Sequence, residues 1–222
     1  MRPIDTIIME VQSETPLIKT LRLDRSLDPH PWQYAMVWIR GLDEVPMSFS
    51  GPDTITVQSV GEASEALNSL GEGRSIGLRG PLGKGFTLLG ERILIIGGGV
   101  GTAPLAFLGE QAMNAGMEVT SLIGYRCCSD MIFLKRFQRL GRTIVTTDDG
   151  SSGIRGRVAA GLEALDLDDY DQIYLCGPEL MMWDVISRSR EHAKKTQACI
   201  NRYFKCAEGI CGSCCLDPDG LR

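Results

Sequence analysis

The segment RILIIGGGVGTAP, residues 92–104, decides the fold of this 222-residue chain. Its first part is a short, uninterrupted apolar run, which is typical of a strand buried on both faces of a parallel sheet. A glycine-rich turn follows at once, and residues 105–115 then have the composition of a helix that ends at Gly116. A strand, a glycine turn and a helix in this order are the context in which backbone N–H groups bind a phosphate.

The glycine turn does not have the spacing G-x-G-x-x-G, so it does not indicate an ordinary Rossmann domain. Close packing of the backbone would also demand glycines here, and this remains the alternative interpretation. Three successive glycines with a fourth at position 101 favour a bound nucleotide. The predicted phosphate-binding residues are Gly97, Gly98, Gly99, Val100, Gly101 and Thr102.

Strands and helices continue to alternate downstream of this turn. Further strands are predicted at 118–126, 143–147 and 172–175, and helices at 131–140 and 158–165. This alternation predicts a doubly wound parallel sheet over residues 89–195, with ligands at the carboxyl ends of its strands. The last of these strands runs into Cys176, Gly177 and Pro178, so one dinucleotide would contact both turns. The alternative for Cys176 is a small buried apolar side chain.

Residues 1–88 have short β-rich runs separated by turn residues, which indicate a small antiparallel barrel or sandwich. A helix is predicted over 62–70, because its apolar residues fall on one face. The segment Pro46-Met47-Ser48 is predicted to be a Pro-x-Ser turn, whose amides and hydroxyl suit a flavin and its phosphates. A turn that merely leads into a strand is the alternative. The helix start near Ser64 would bind a pyrophosphate.

Three cysteines near the end of the sequence, Cys206, Cys211 and Cys214, have the spacing C-x4-C-x2-C of a plant-type [2Fe–2S] site. The short glycine-containing loop between the first two allows backbone amides to turn inward toward sulfur. A structural zinc site is the alternative. The plant-type pattern needs a fourth cysteine further on, and Cys215 is a poor fourth ligand because adjacent side chains of an extended segment diverge. We therefore expect the natural protein to continue beyond Arg222.

Composition excludes several classes of protein. The net charge of −5 provides no basic surface, which argues against nucleic acid as a partner. No apolar run approaches the ~20 residues that span a bilayer, and there is no signal-peptide pattern, so no membrane association is expected. The clustered cysteines indicate metal binding in a cytoplasmic protein and not a secreted disulfide scaffold.

The order of these segments resembles the ferredoxin–NADP reductase superfamily, and within it the electron-transfer subunits of NAD-dependent (type B) dihydroorotate dehydrogenase. The resemblance covers essentially the whole chain. Its most specific parts are residues 203–206 with the cysteines that follow, and Asp148-Asp149-Gly150-Ser151. It implies an N-terminal flavin-binding barrel (1–88), an NAD-binding α/β domain (89–195) and a [2Fe–2S] segment (196–222) that ends early.

The resemblance also assigns residues to cofactors. The FAD would lie against residues of the barrel, namely Val45, Pro46, Met47, Ser48, Thr56, Val57, Gln58, Ala63 and Ser64. NAD(H) would bind to the glycine turn, with Cys176, Gly177 and Pro178 beside the nicotinamide. The cluster would be held by Cys206, Cys211 and Cys214. The family often has arginine directly before Pro-x-Ser, and Val45 replaces it here, so one positive contact to the flavin phosphates is missing.

The implied activity is electron transfer in pyrimidine biosynthesis. A catalytic dihydroorotate dehydrogenase subunit would oxidise dihydroorotate on its own FMN, in a heterotetramer of two plus two subunits. Electrons would pass singly through the cluster to FAD, which gives NAD⁺ a hydride. The cofactors supply this chemistry, so no catalytic side chain is predicted on this chain.

Two other functions remain open. A related subunit could serve a hydrogenase or a ferredoxin:NADP transhydrogenase, since the partner decides the substrate. A zinc-stabilised protein without catalytic activity is the alternative from another class. Arg126, after the second α/β strand, would suit a 2′-phosphate or pair with Asp130. No cluster of basic residues supports it, which favours NAD(H) over NADP(H).

Overall fold

A computed structural model describes residues 2–200 and 205–214 of the chain. The chain divides into two compact units. Of the described residues, one unit contains residues 2–84 with Ile200 and residues 205–214, and the other is Gly85–Cys199. Each unit contains one six-stranded sheet. Residues 196–199, grouped with the cysteine segment in the sequence analysis, thus belong to the second unit.

The first unit is a small antiparallel β-barrel, as predicted. Its strands follow the order β4-β3-β6-β1-β2-β5, and every pairing is antiparallel. A bridge between Phe49 and Ile55 joins the two edges of the sheet, so the sheet closes on itself. The strands are β1 (Ile4–Thr15), β2 (Ile18–Leu23), β3 (Tyr34–Trp38), β4 (Glu44–Ser48), β5 (Thr54–Gln58) and β6 (Ser75–Leu82).

The Pro-x-Ser segment differs from its prediction. Pro46, Met47 and Ser48 are not a turn but the second half of β4, where Pro46 lies opposite Met36 of β3. The reason is the position of β4 at the edge of the sheet order. Proline has no N–H to donate, and it is tolerated on an edge strand because only one side of such a strand forms backbone hydrogen bonds to a neighbouring strand.

The second unit is a parallel sheet, also as predicted. Its order is β10-β9-β8-β7-β11-β12, and every pairing is parallel. After β7 the chain adds β8, β9 and β10 in succession on one side of β7, and it then adds β11 and β12 on the other side. The strand order therefore reverses between β7 and β11. Ligands of open α/β sheets bind at such switch points. The strands are β7 (Arg92–Gly98), β8 (Glu118–Tyr125), β9 (Gly141–Thr147), β10 (Ile154–Arg155), β11 (Gln172–Cys176) and β12 (Thr196–Cys199).

Both faces of the parallel sheet are covered, because successive side chains of a strand point to opposite faces. On one face Ile95 lies close to Gly109, which also contacts Leu140. On the other, Leu94 and Ile96 belong to an apolar cluster with Met182. The α-helices are α1 (Glu62–Ser69) in the first unit, and α2 (Thr102–Asn114), α3 (Leu134–Leu140) and α4 (Glu179–Arg188) in the second.

Short 3₁₀ helices replace some predicted elements. The segment predicted as helical over 158–165 is the 3₁₀ helix Val158–Ala164, and the two-residue strand β10 and the final strand β12 were not predicted. The remaining 3₁₀ segments are Gly99–Gly101, Cys128–Asp130, Leu167–Asp169 and Arg190–Lys195. No helix within the described residues is long and apolar enough to cross a membrane.

Candidate functional site

The structure brings the two turns predicted to bind a dinucleotide into contact. The glycine turn follows β7 and the Cys-Gly-Pro turn follows β11, and these strands are neighbours with Gly97 opposite Cys176. A Cβ atom on Gly101 would lie 2.8 Å from Cys176 Sγ and 2.8 Å from Gly177 Cα. The turns therefore touch at the switch point of the sheet.

Packing explains most of the glycines in this turn. A Cβ on Gly97 would lie 2.8 Å from Thr102 Cγ2, and one on Gly98 would collide with the Met181 sulfur of α4. Gly99 differs, because it has a φ of +54° and a Cβ there would meet nothing within 4 Å. Close approach of the backbone therefore requires most of the glycines, as the alternative interpretation expected, and Gly99 borders open space. Phosphate binding by this turn stays a prediction.

The N-terminus of α2 offers a favourable environment for an anion. It follows the 3₁₀ turn Gly99–Gly101 and has no acidic residue in its first turn. Thr102 is fully buried, and its hydroxyl donates to the Gly99 carbonyl at 2.7 Å while accepting from the Tyr125 hydroxyl at 3.2 Å. The threonine side chain shapes the turn, and the positive end of the helix dipole at this point favours a phosphate.

Cys176 is buried, and it has a second cysteine as its neighbour. It lies opposite Cys199 in the parallel pairing of β11 and β12, and the two thiols share a hydrogen bond. Burial, and then this hydrogen bond, raises the pKa of the Cys176 thiol well above its usual range. A neutral thiol therefore borders the end of β11. Cys199 was not among the predicted site residues, because no sequence pattern indicates that residues 196–199 form the adjacent strand.

The loops after β8 and β9 are tied together on the same edge of the sheet. Ser151 donates from its backbone N–H and its hydroxyl to Asp149 Oδ1, at 2.9 and 2.6 Å, and its Oγ accepts the Cys128 N–H at 2.8 Å. The Ser151 side chain and then its backbone lower the pKa of Asp149. Arg126 is exposed and forms no ion pair with Asp130 in the described part of the chain.

The residues predicted to contact FAD lie on both edges of the barrel where it closes. Val45, Pro46, Met47 and Ser48 are half-buried on β4, and Thr56, Val57 and Gln58 lie on β5, with Val57 fully buried. The Phe49–Ile55 bridge brings these edges together. The Thr56 hydroxyl is hydrogen-bonded to those of Ser50 and Thr20, at 2.8 and 3.0 Å. Thr56 thus uses its hydroxyl within the barrel, and Val57 has none of its surface exposed.

The start of α1 has a less favourable electrostatic environment. The buried Ser64 hydroxyl accepts the N–H groups of Val60 and Gly61 and donates to the Gly61 carbonyl. Its side chain is thus fully used in beginning the helix. Glu62 and Glu65 lie in the first turn, so carboxylates already occupy the region around the positive end of the dipole. Ala63 and Ser64 offer a ligand their backbone N–H groups and little else.

The cysteine loop, which we define as residues 205–214, has the inward-facing amides that its sequence predicts. The N–H groups of Glu208 and Cys211 donate to Cys206 Sγ at 3.4 and 3.5 Å. Left-handed residues at Ala207, Gly209 and Gly212 produce the tight turns. The Cys211 sulfur is hydrogen-bonded to the Ser213 hydroxyl at 3.3 Å. Tyr203, Phe204 and Cys215 lie outside the described residues.

This environment favours thiolates. The backbone N–H of Cys211, followed by that of Glu208, lowers the pKa of Cys206. The side chain and backbone of Ser213 lower the pKa of Cys211 to about 6. Among the described residues, no three His, Cys, Asp or Glu side chains are gathered to hold one metal ion. A [2Fe–2S] group takes two cysteines on each of its two irons, so the amide-lined pair Cys206 and Cys211 matches the donor set of one iron.

A residue that was not predicted from the sequence, Arg79, contacts this loop. Arg79 of β6 is buried, with 7% of its surface exposed, and its guanidinium donates to the Cys206 carbonyl at 3.3 Å from two nitrogens. It also forms an ion pair with Glu44. No sequence signal distinguishes a buried arginine from the surface arginines of other strands.

The two units and their turns define a class of protein. An antiparallel barrel followed by a parallel nucleotide-binding sheet is the architecture of ferredoxin–NADP reductase-like oxidoreductases. The model of the oxidoreductase NAD-binding domain family matches residues 95–186. The fold is shared with the NADH-dependent reduced ferredoxin-NADP oxidoreductase, at a TM-score of 0.85 and 24% identity over 94% of this chain and 80% of that one.

A second solved structure gives the same result for the fold. It is the flavohem-like FAD/NAD-binding domain of nitric oxide dioxygenase from Vibrio cholerae. Its TM-score is 0.81 at 22% identity, over 90% of this chain and 99% of that one.

Curated relatives specify the family more narrowly. The chain is 52% identical, over 100% of its length and 88% of the relative's, to a probable dihydroorotate dehydrogenase B (NAD(+)) electron transfer subunit of Methanocella arvoryzae. The corresponding protein of Methanocaldococcus jannaschii is 38% identical over 99% of this chain and 86% of its own. The chain belongs to the family of electron transfer subunits of dihydroorotate dehydrogenase B, and is an oxidoreductase subunit.

Proposed function

We propose that this chain transfers electrons between a catalytic dihydroorotate dehydrogenase subunit and NAD(H) in pyrimidine biosynthesis, using FAD on the barrel and a [2Fe–2S] cluster on the cysteine loop. The contact between the glycine turn and the Cys-Gly-Pro turn carries the proposal. It places a helix N-terminus without acidic residues beside a buried neutral thiol at the switch point of a parallel sheet.

The residues of the second unit have defined roles in this proposal. The N–H groups of the turn 97–102 bind the pyrophosphate, while the Thr102 hydroxyl keeps the turn in shape through the Gly99 carbonyl. Cys176, Gly177 and Pro178 border the nicotinamide, and the buried thiol excludes water there without adding a negative charge. The exposed carboxylates of Asp148 and Asp149 follow β9 and would repel a 2′-phosphate, which favours NAD(H) over NADP(H).

The residues of the first unit would hold the redox groups that supply the chemistry: a flavin accepts or donates a hydride, and a [2Fe–2S] cluster transfers single electrons. Cys206, Cys211 and Cys214 would be cluster ligands, with the Glu208 and Cys211 amides stabilising thiolate charge. The half-buried edge strand β4 would contact the flavin. Within the described residues the half-buried Ser48 has no hydrogen bond from its hydroxyl, so this hydroxyl is available to a ligand.

The cellular setting follows from the thiols and from the partner. The seven described cysteines are all free of disulfides, which suits the reducing cytoplasm. A catalytic subunit that oxidises dihydroorotate is the proposed partner, in an assembly of two copies of each chain. Size-exclusion chromatography with light scattering measures this stoichiometry directly.

Co-expression with the catalytic subunit tests the proposed function. The purified complex is assayed for NAD⁺ reduction by dihydroorotate, and for FAD, iron and acid-labile sulfide. We expect activity that requires both chains, with one FAD and two irons per copy of this chain. A colourless protein with one zinc per chain would contradict the electron-transfer function. Activity with NADPH and ferredoxin, but not with dihydroorotate, would instead assign the chain to another partner.

A further inference from the structure

Arg79 is an unusual residue in the barrel because it is a cation with 8% of its side chain exposed. A buried charge is costly unless it is paired and its hydrogen bonds are satisfied. Arg79 meets both conditions through Glu44 of the edge strand β4. Its Nη2 lies 2.6 Å from Glu44 Oε2, and its Nε donates to Glu44 Oε1 at 3.2 Å. This two-point contact fixes the plane of the guanidinium.

The remaining donors of Arg79 face the cysteine loop. Both Nη1 and Nη2 donate to the carbonyl oxygen of Cys206, each at 3.3 Å, and Nη1 lies 3.4 Å from Glu208 Oε1. Glu208 is the residue whose N–H donates to Cys206 Sγ. One side chain thus joins a barrel carboxylate to both ends of the Cys206–Glu208 turn.

An ion pair that only stabilised the barrel would not need these contacts. Glu44 accepts hydrogen bonds from only two of the Arg79 nitrogens. A lysine at position 79 would also supply the positive charge that compensates the Glu44 carboxylate. Only the planar five-donor fork of arginine can bind a carboxylate at one edge and a carbonyl at another in the same orientation. The geometry therefore indicates a role in placing the loop.

We propose that Arg79 is a positioning residue that anchors the cysteine loop to the barrel through Glu44 and the Cys206 carbonyl. Arg79 also has a second role, which rests on the proposed function. Its positive charge beside Cys206 favours the reduced form of the [2Fe–2S] cluster. Reduction adds a negative charge, so a nearby cation raises the reduction potential.

Three variants of the full chain separate placement from charge. Arg79→Gln removes both the fork and the charge, and Arg79→Lys keeps the charge but removes the fork. Arg40→Gln is the matched control, since Arg40 pairs with Asp5 at 2.6 Å in the same unit but is half exposed and does not contact the loop. Thermal unfolding shows first that each variant is folded.

Hydrogen–deuterium exchange of residues 205–214 is the first measurement. We expect the Glu208 and Cys211 amides to exchange about tenfold faster in both Arg79 variants, as when a hydrogen bond to a charged group is lost. Arg40→Gln should exchange like the wild type. Wild-type exchange rates in folded Arg79→Lys would overturn the anchoring role, even if Arg79→Gln failed to fold.

The midpoint potential of the iron–sulfur signal is the second measurement. It should shift to more negative values in Arg79→Gln and stay near the wild type in Arg79→Lys and Arg40→Gln. An unshifted potential in folded Arg79→Gln would overturn the charge effect. If the wild-type protein held no iron, the cluster in the proposed function would be wrong, while the exchange measurement would still decide whether Arg79 anchors the loop.

Discussion

Gly101 and Cys176 lie in different turns of the second unit, yet a Cβ atom on Gly101 would lie 2.8 Å from the Cys176 sulfur. The contact exists because β7 and β11 are neighbours in the sheet although β8, β9 and β10 separate them in sequence. Each turn alone is a weak signal for a nucleotide. Their contact brings them together at the switch point, where open α/β sheets bind their ligands, and this supports the proposed dinucleotide site.

Gly101→Ala should weaken dinucleotide binding. The added methyl group has to move Cys176 or the Gly177 backbone, and such overpacking costs about 1–3 kcal/mol. Isothermal titration with NADH is expected to show a reduced affinity with the fold retained in circular dichroism. Gly71→Ala is the matched control, because a Cβ there meets nothing within 4 Å. Equal NADH affinity in the two variants would mean that the contact between the turns does not shape the site.

Thr102→Val should destabilise the second unit. Valine keeps the shape of threonine but leaves the Gly99 carbonyl without its 2.7 Å hydrogen bond. The loss of this one hydrogen bond should cost about 0.5–1.5 kcal/mol, measured as the free energy of unfolding in urea. Thr102→Ser retains the hydroxyl and is expected to recover the Gly99 hydrogen bond. A serine variant as unstable as the valine variant would show that the methyl group, and not the hydroxyl, matters.

Asp171→Asn should lower stability in a way that depends on pH. Asp171 Oδ2 accepts the N–H groups of Glu91 and Arg92, both at 2.8 Å, and these hydrogen bonds lower its pKa below 3.8. Because the folded-state pKa is depressed, the stabilisation is fully present above the unfolded value and disappears as pH falls through the folded one.

The expected difference in melting temperature between wild type and Asp171→Asn is thus constant from pH 7 to about 5 and shrinks below about 4. Thermal melts at a series of pH values measure it. A difference that stayed constant down to pH 2 would exclude the ionised carboxylate as the source. Asp169→Asn, in the same region without these contacts, provides a control.

Alkylation of the iron-free, folded chain should modify Cys211 much faster than Cys176. Cys211 is exposed and has a pKa lowered to about 6 by Ser213, so it is largely thiolate at pH 7. Cys176 is buried and its pKa is raised, so it should react only on unfolding. Mass spectrometry after brief iodoacetamide treatment reports both sites. Modification of Cys176 at the rate of Cys211 would contradict the buried position of the thiol.

The parallel sheet was predictable because its strands are continuous apolar runs. Residues 92–96 and 172–175 are strands in both the prediction and the structure, and the turns after them fix the carboxyl edge. The strand β12 was not predicted, since the four residues Thr196–Cys199 have no apolar run and depend on pairing with β11. Tertiary contacts, and not local preference, decide such a strand.

The barrel and its loop were harder to predict from local pattern. Pro46 indicates a turn in isolation, and only the sheet order shows that it occupies an edge strand. The inward amides around Cys206 were predictable from small residues at fixed spacing. The link from Arg79 to the Cys206 carbonyl was not, because it joins residues far apart in sequence and depends on how the chain closes.

An anaerobic titration of the complex with NADH, followed by absorbance, tests the central claim most directly. If this chain exchanges electrons with NAD(H) through a flavin and an iron–sulfur cluster, NADH should bleach both absorbance bands. NADPH at the same concentration should have little effect. A protein that lacked flavin absorbance, or whose flavin stayed oxidised with excess NADH, would contradict the account.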